Sequence, residues 1–225
     1  AVGICGTDIP ILEGAREVPV PLIPGHEFAG EIAGVGAGVR EWRVGDRVTA
    51  GLVISCGECF FCREGLESLC DNLRETGIHV NGAFAEYVVV PEKTLHRLPD
   101  GMGFEEGASI DPVASAYRAV RKAHASPGDV VVVFGPGPIG LYALQIARMD
   151  GAKKVICVGV AGDEERLALA MRLGGDYSVL TGDRDPADVV REVTGGRMAD
   201  AVVEATGRPE VFDACVRSLR KGGRL

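Results

Sequence analysis

The stretch VVVVFGPGPIG, residues 130–140, decides how the second half of the chain folds. Its uninterrupted apolar run favours a buried strand, and the glycines and prolines that follow end this strand in a tight turn. Three of the glycines have the spacing G-x-G-x-x-G. Between a strand and a helix, this spacing permits a sharp turn, close approach of the backbone to a pyrophosphate, and tight packing of the helix on the strand. We therefore predict a dinucleotide-binding turn made by Gly135, Gly137, Pro138, Ile139 and Gly140.

The sequence after this turn alternates between strand-like and helix-like segments. We predict strands at residues 130–134, 154–158, 177–180 and 201–204, and helices at residues 139–149, 164–173 and 186–194. Such alternation is typical of βαβ units, in which parallel strands form one sheet that is covered by helices. The second half is therefore predicted to be a doubly wound parallel sheet of the α/β class.

The first half instead carries short runs rich in valine and isoleucine that are separated by glycines. The runs PGHEFAGEIAGVGAGV, VGDRVTAGL and GAFAEYVVV indicate strands joined by turns and predict a β-rich, barrel-like domain. Residues 101–125 are predicted to form helices that connect the two halves. We place the domain boundary so that the domains are residues 1–114 and 115–225.

Charge and hydropathy narrow the choice of partner. The 225 residues carry a net charge of −8, which provides no positive surface for nucleic acid or for an anionic membrane. The uncharged stretch at residues 130–147 is interrupted by glycines and prolines, so it predicts a strand, a turn and a helix start instead of a membrane span. We therefore expect a small-molecule partner.

Four of the seven cysteines, Cys56, Cys59, Cys62 and Cys70, follow the pattern C-x2-C-x2-C-x7-C. Four thiolates this close together can surround one ion, and four sulfurs in a tetrahedron are the ligands of a structural Zn²⁺. An iron–sulfur cluster takes the same ligands, and redox-active thiols are a further alternative. We predict a structural zinc lobe over residues 56–75. Cysteines spaced for a metal indicate a reducing compartment, so we expect a cytoplasmic protein.

Two further groups of polar residues suggest a second metal site. GICGTD places Cys5 and Thr7 in one turn, and PGHEFAG places His26 beside Glu27 just before a strand-like run. Alone, a cysteine in an apolar segment is usually a core residue, and a histidine–glutamate pair usually lies at the surface. Here they occur together with Asp111 in SIDPVAS and with the four-cysteine lobe.

The order of these motifs resembles that of the zinc-dependent medium-chain alcohol and polyol dehydrogenases. The run G-H-E-x2-G-x5-G-x2-V, which begins at Gly25, is similar to the signature of that family, and the cysteine lobe and the glycine turn follow in the family's order. The resemblance covers essentially the whole chain. It implies a GroES-like catalytic domain followed by a Rossmann domain, in an interior piece that is incomplete at both ends. The context Asp111-Pro112 resembles the sorbitol and threonine dehydrogenase branch.

The resemblance implies a catalytic zinc held by Cys5 and His26, with Glu27 as a third or exchanging ligand. Asp111 is implied as another ligand, or as a carboxylate that holds the water on the ion. A site with about three protein ligands leaves one position open, where zinc acts as a Lewis acid on the alcohol oxygen. Thr7 is implied to pass on the hydroxyl proton, with a turn-forming or capping hydroxyl as the alternative.

Two positions in the first half bear on that site. Asp46 in VGDRV is implied as the acceptor that orients His26, and a turn aspartate between strands is an equal alternative. Many relatives carry a histidine at the end of a proton relay, five residues after the ligand cysteine, and this chain has Pro10 there. The relay is then expected to end on the cofactor ribose and water, or on another residue.

The choice between NAD and NADP depends on the end of the second strand of the nucleotide domain. An acidic residue normally ends this strand and binds the ribose 2′-hydroxyl, but Gly159 occupies the place. Asp163 or Glu164 is expected to reach back to the ribose, or else Arg166 meets a 2′-phosphate. The three consecutive acids at residues 163–165 favour NAD.

The resemblance also implies the activity, a hydride transfer between a secondary alcohol or polyol and NAD(P), with one catalytic and one structural zinc per chain. Thr206 and Gly207 in VVEATG resemble the strand end that borders the nicotinamide. A homodimer or homotetramer is implied for the complete protein. The alternatives are a zinc-free reductase and a non-catalytic dinucleotide-binding protein on the same fold, and Cys5, His26 and Glu27 argue against both.

Overall fold

A computed structural model describes all residues, 1–225, and divides the chain into two compact units. The first unit is Ala1–Asp111 and the second is Pro112–Leu225. The division therefore falls after Asp111, near the start of a helix, whereas the sequence predicted it after Ala114. None of the helices has the length and the apolar character that crossing a membrane requires.

The first unit is built from short antiparallel strands and short helices. The order β1-β2-β3-β6 gives one antiparallel sheet, and β4 pairs with β5. Its strands are β1 (Val2–Gly3), β2 (Glu27–Glu31), β3 (Arg47–Ala50), β4 (Val53–Ile54), β5 (Arg74–Glu75) and β6 (Leu95–Arg97). Its helices are α1 (Asp8–Leu12), α2 (Phe60–Arg63) and α3 (Phe104–Ala108), with 3-10 turns at Glu67–Leu69 and Glu92–Thr94. Helix α4 (Ile110–Lys122) begins in this unit, but all except its first two residues belong to the second.

The run GAFAEYVVV, residues 82–90, forms no strand, so that part of the prediction is wrong. Its first amides donate to the backbone just before β2: Ala83 N bonds to Gly25 O at 2.9 Å and Phe84 N to Pro24 O at 3.0 Å. The rest of the run pairs with no strand of this chain, and Val89 is 92% exposed. An apolar alternating pattern becomes a strand only where another strand supplies the hydrogen bonds. The pattern therefore predicted one strand more than the sheet contains.

The second unit is one parallel sheet with helices, as predicted. The strand order β11-β10-β7-β8-β9 places the first strand of the unit, β7, in the centre. The strands are β7 (Val130–Phe134), β8 (Lys154–Gly159), β9 (Tyr177–Leu180), β10 (Ala199–Glu204) and β11 (Leu219–Arg224). The helices are α5 (Pro138–Met149), α6 (Glu164–Arg172), α7 (Pro186–Val193) and α8 (Phe212–Ser218), with a 3-10 turn at Pro209–Val211.

The central position of β7 explains its uninterrupted apolar run. All five of its residues are buried: Val131 and Val133 belong to one core cluster, while Val130, Val132 and Phe134 belong to another. A strand covered by helices on both faces has no solvent face, so it needs no alternating polar residues. Cys157 and Cys215 are fully buried members of these two clusters, which agrees with a packing role.

Candidate functional site

The structure brings Cys5, His26 and Glu27 together in the first unit. One ligand atom from each, a sulfur, an imidazole nitrogen and a carboxylate oxygen, lies within 4.8 Å of the other two. Strand pairing produces this arrangement, because β1 is antiparallel to β2 with Gly3 opposite Glu27. An ideal Cβ at Gly3 would lie 2.6 Å from Oε2 of Glu27, so the missing side chain leaves room for this carboxylate. Sulfur, nitrogen and oxygen donors at this separation fit a zinc ion with one open position.

The electrostatics of these residues suit metal binding. A hydrogen bond with His26 lowers the pKa of Cys5, and the backbone and hydroxyl of Thr7 lower it further. The same bond with Cys5 raises the pKa of His26, while burial raises the pKa of Glu27. A lowered thiol pKa favours the thiolate, which is the form that binds metals. The Thr7 hydroxyl makes no capping bond to α1.

Asp8 belongs to this site, although the sequence analysis overlooked it. The residue is only 1% exposed, and Oδ2 accepts a hydrogen bond from the backbone N of Cys5 at 2.8 Å. Its Oδ1 lies 3.8 Å from Nδ1 of His26, which is too long for a hydrogen bond, and neither of these buried atoms has a hydrogen-bond partner. Metal-binding histidines commonly direct the second ring nitrogen toward a carboxylate, which orients the ring. In the sequence, the signal for this role was an acid three residues after a ligand cysteine.

Asp46 does not orient His26, so this assignment was wrong. Its carboxylate accepts a bond from Nη1 of Arg97 at 2.8 Å and from the backbone N of Arg43 at 3.0 Å. Its carbonyl accepts from Ile32, at the far end of β2 from His26. Six residues of extended chain span about 20 Å, which is too far for contact. Asp46 is therefore a turn aspartate, the alternative that the sequence left open.

Asp111 lies close enough to His26 to feel its charge but does not join the ligand set, and Pro10 is not a member of that set either. Asp111 is in the first turn of α4, where burial raises the pKa of its carboxyl and the charge of His26 opposes that shift. Its oxygens are not among the ligand atoms that lie within 4.8 Å of one another. The structure thus favours a carboxylate near the metal position over a direct ligand. Pro10 is inside α1, where its side chain can carry no proton.

The four predicted lobe cysteines converge in the structure. Sulfurs of Cys56, Cys59, Cys62 and Cys70 all lie within 4.8 Å of one another. Backbone amides also point at them: Cys56 N donates to the Cys70 sulfur at 3.2 Å, and Cys59 N to the Cys56 sulfur at 3.4 Å. Backbone hydrogen bonds, that from Glu58 first, lower the pKa of Cys56 to about 6. Four converging sulfurs fit a closed zinc site with no open position.

The glycine turn of the second unit has the shape that a pyrophosphate needs. Gly135 has φ of 97°, a conformation that side chains strongly disfavour. An ideal Cβ at Gly140 would lie 1.8 Å from the carbonyl oxygen of Gly135, so the third glycine is required for packing. An ideal Cβ at Gly137 would meet nothing within 4 Å, and α5 begins at the next residue, Pro138. The turn thus leaves open space at the amino end of a helix, where phosphates bind.

Because Gly137 and Gly140 have different surroundings, we expect alanine substitutions at these two positions to have different effects. Gly137→Ala should leave the melting temperature unchanged, because the new methyl group has room, but weaken dinucleotide binding by about tenfold or more, 1.4 kcal/mol. Gly140→Ala should instead lower the melting temperature, because its methyl group collides with backbone. Thermal unfolding and calorimetry of both variants test this. Equal effects of the two substitutions on binding and stability would contradict these separate roles.

The other predicted nucleotide residues lie at the same edge of the sheet. Thr206 follows β10, and its Cγ2 would be 2.8 Å from a Cβ placed on Gly135. Glu204 accepts bonds from the backbone N of Thr206 at 2.5 Å and of Gly207 at 3.2 Å, which fixes this turn. Gly159 is the last residue of β8, and Asp163 immediately precedes α6.

Comparisons with known proteins match both units. Residues 1–100 match the family described as the alcohol dehydrogenase GroES-like domain, and residues 138–225 match the zinc-binding dehydrogenase family. The D-arabitol-phosphate dehydrogenase of Enterococcus avium is 42% identical over 226 residues, which cover 99% of this chain and 64% of that protein. The sorbitol dehydrogenase of Halalkalibacterium halodurans is 40% identical over 223 residues, with 99% and 65% covered.

A solved structure gives the same result at the level of the fold. It is a putative zinc-binding dehydrogenase from Sinorhizobium meliloti 1021 bound to NADP, with a TM-score of 0.92 and 35% sequence identity. The match covers 99% of this chain and 65% of that one. The chain therefore spans slightly less than two thirds of the length of the proteins it matches.

Proposed function

We propose that the complete protein transfers a hydride between a secondary alcohol or polyol and NAD(P). The basis of the proposal is that the chain belongs to the family of zinc-dependent medium-chain alcohol dehydrogenases. The observation that carries this proposal is the pair of dissimilar metal sites in one unit. One group of three offers sulfur, nitrogen and oxygen, and the other offers four sulfurs. A closed site stabilises the fold, whereas a site with three protein ligands leaves a position for substrate.

The residues of the first unit have separate tasks in the proposed reaction. Cys5, His26 and Glu27 would hold a zinc ion, which supplies a Lewis acid that favours loss of the alcohol proton. Thr7, whose hydroxyl lowers the pKa of Cys5, would receive that proton and pass it on. Asp8 would position the His26 ring through Nδ1. Asp111 would act as a nearby carboxylate that tunes the charge of the site.

The second unit would bind the cofactor. Its glycine turn leaves open backbone at Gly137, and the amino end of α5 favours the negative charge of the pyrophosphate. Thr206 and Gly207 lie on the turn after β10, which we assign to the nicotinamide side of the cofactor site. A non-catalytic nucleotide-binding protein on this fold would have no need for Cys5, His26 and Glu27 as one cluster.

Substrate screening of the complete protein tests this function. We expect two zincs per chain by elemental analysis, and turnover with polyols or polyol phosphates that exceeds turnover with threonine, sugar acids and simple alcohols. The named functions of the two relatives, on D-arabitol phosphate and on sorbitol, motivate this order. Fewer than two zincs together with activity on a substrate that is not an alcohol would favour the zinc-free reductase. Cofactor binding without turnover on any of these substrates would favour the non-catalytic alternative.

We also propose a cellular location and an oligomeric state for the protein. A site of four thiolates requires reduced cysteines, which supports a cytoplasmic location. We also propose a homodimer or homotetramer for the complete protein, which light scattering would establish.

A further inference from the structure

Strand β8 ends at a residue without a side chain, Gly159, and Asp163 from the following loop lies beside this strand end. Gly159 is buried. An ideal Cβ at Gly159 would lie 3.0 Å from Cβ of Asp163 and 3.2 Å from the side chain of Leu167. The side chains of Asp163 and Leu167 therefore occupy the space beside the strand end that a side chain at residue 159 would need.

The carboxylate of Asp163 is held in this place by two contacts. Its Oδ2 accepts a hydrogen bond from the backbone N of Val160 at 3.1 Å, and its Oδ1 lies 3.3 Å from Nη1 of Arg166. The side chain of Asp163 is 15% exposed. A carboxylate has about four lone-pair sites, and these two contacts use two of them. Asp163 can therefore still accept hydrogen bonds from a ligand.

Asp163 also lies at the edge of the sheet where the cofactor is proposed to bind. Strands β7 and β8 are parallel neighbours, and the amide of Gly135 donates to the carbonyl of Val158 at 2.8 Å. The glycine turn and the end of β8 are thus adjacent. In parallel sheets of this kind, ligands bind beyond the carboxyl ends of the strands.

We propose that Asp163 is the residue that selects the cofactor, by accepting hydrogen bonds from the adenosine ribose hydroxyls and by repelling a 2′-phosphate. The carboxylate that normally ends the second strand is then supplied four residues later, and Gly159 provides the room for it. This inference rests on the proposed function and specifies NAD as the preferred cofactor. Arg166 is a positioning residue, because its guanidinium is paired with Asp163.

The neighbouring acids are less suited to this role. Glu164 uses Oε1 to accept from the backbone N of Gly162 at 3.2 Å, and it lies at the exposed start of α6. Glu165 is exposed and makes no side-chain hydrogen bond or ion pair in the structure. Of these three acids, only Asp163 lies against the position that a side chain at residue 159 would take. Glu165→Gln therefore removes the same charge from the same turn without removing the proposed acceptor.

Direct binding measurements test the proposal. Dissociation constants for NAD and NADP are measured by calorimetry on the complete protein, on Asp163→Asn and on Glu165→Gln. Asp163→Asn keeps an oxygen that can accept from Val160 but loses the charge, so the fold should persist. We expect the wild type to prefer NAD, Asp163→Asn to reduce that preference by about tenfold or more, 1.4 kcal/mol, and Glu165→Gln to leave it within about twofold.

Three results would overturn the proposal. A wild type that prefers NADP, or an Asp163→Asn variant that weakens both cofactors equally, would leave Asp163 only the structural role of bracing the turn. An equal change of preference in Glu165→Gln would assign selectivity to the general charge of the turn. If the wild type binds neither dinucleotide, the proposed function itself is wrong, and this outcome is distinct from a loss of selectivity alone.

Discussion

Replacing Cys5 by alanine is expected to abolish turnover of the complete protein while leaving dinucleotide binding nearly unchanged. The Cys5 sulfur is one of three ligand atoms that lie within 4.8 Å of one another in the first unit, whereas the glycine turn belongs to the second. Without the thiolate, the site loses the donor that anchors the ion, and the alcohol loses its proton less readily. We expect turnover to fall by about 10³ or more, which corresponds to about 4 kcal/mol of transition-state stabilisation.

Zinc content, turnover and cofactor affinity together check this expectation. Zinc should fall from two to one per chain, and the dissociation constant for the dinucleotide should change by less than about tenfold. Cys215→Ala is the matched control, because it removes a fully buried thiol from the second unit and should cost some stability but neither zinc nor turnover. Two zincs and near-normal turnover in Cys5→Ala would show that Cys5 is only a packing residue.

Substitution of Asp8 tests the residue that orients a metal ligand, separately from the ligands themselves. Asp8→Asn retains the shape of the buried side chain beside Nδ1 of His26 but removes its charge. Reduced zinc affinity and turnover, intermediate between those of the wild type and Cys5→Ala, are expected, since outer carboxylates typically contribute 10–100-fold.

Replacing Cys70 by serine is expected to remove the other zinc and to unfold the lobe at residues 56–75. Cys70 is 7% exposed, and its sulfur also accepts the amide of Cys56, so both the ion and a local hydrogen bond depend on it. Loss of one thiolate opens a closed site, and the energy of metal binding is then lost from folding. A fall in melting temperature of roughly 10 °C is expected, which for a protein of this size corresponds to about 3 kcal/mol.

Thermal unfolding and zinc analysis distinguish this effect from a general one. Asp71→Ser changes the adjacent exposed residue, which makes no hydrogen bond through its side chain, and should retain both zincs and the melting temperature. The remaining zinc in Cys70→Ser should still depend on Cys5. An unchanged melting temperature with both zincs present would refute the structural role of the four cysteines.

Features that depend on neighbours in the chain were accessible from the sequence. The glycine turn, the four-cysteine lobe and the order of strands and helices in the second unit all appear in the structure as predicted. In each case the residues that interact are close in sequence, or repeat with the period of the element they form, so spacing alone carries the geometry.

Features that depend on strand register and on competition for hydrogen bonds were decided only by the tertiary structure. Asp46 and Asp8 are both acids near a turn, but antiparallel pairing places Asp46 opposite Ile32 and leaves Asp8 beside His26. Residues 82–90 have a strand-like pattern but find no strand to pair with. The replacement of a side chain at Gly159 by that of Asp163 depends on how the loop before α6 folds back. Such long-range contacts arise from packing, in which many weak interactions select one register, and no short stretch of sequence contains that information.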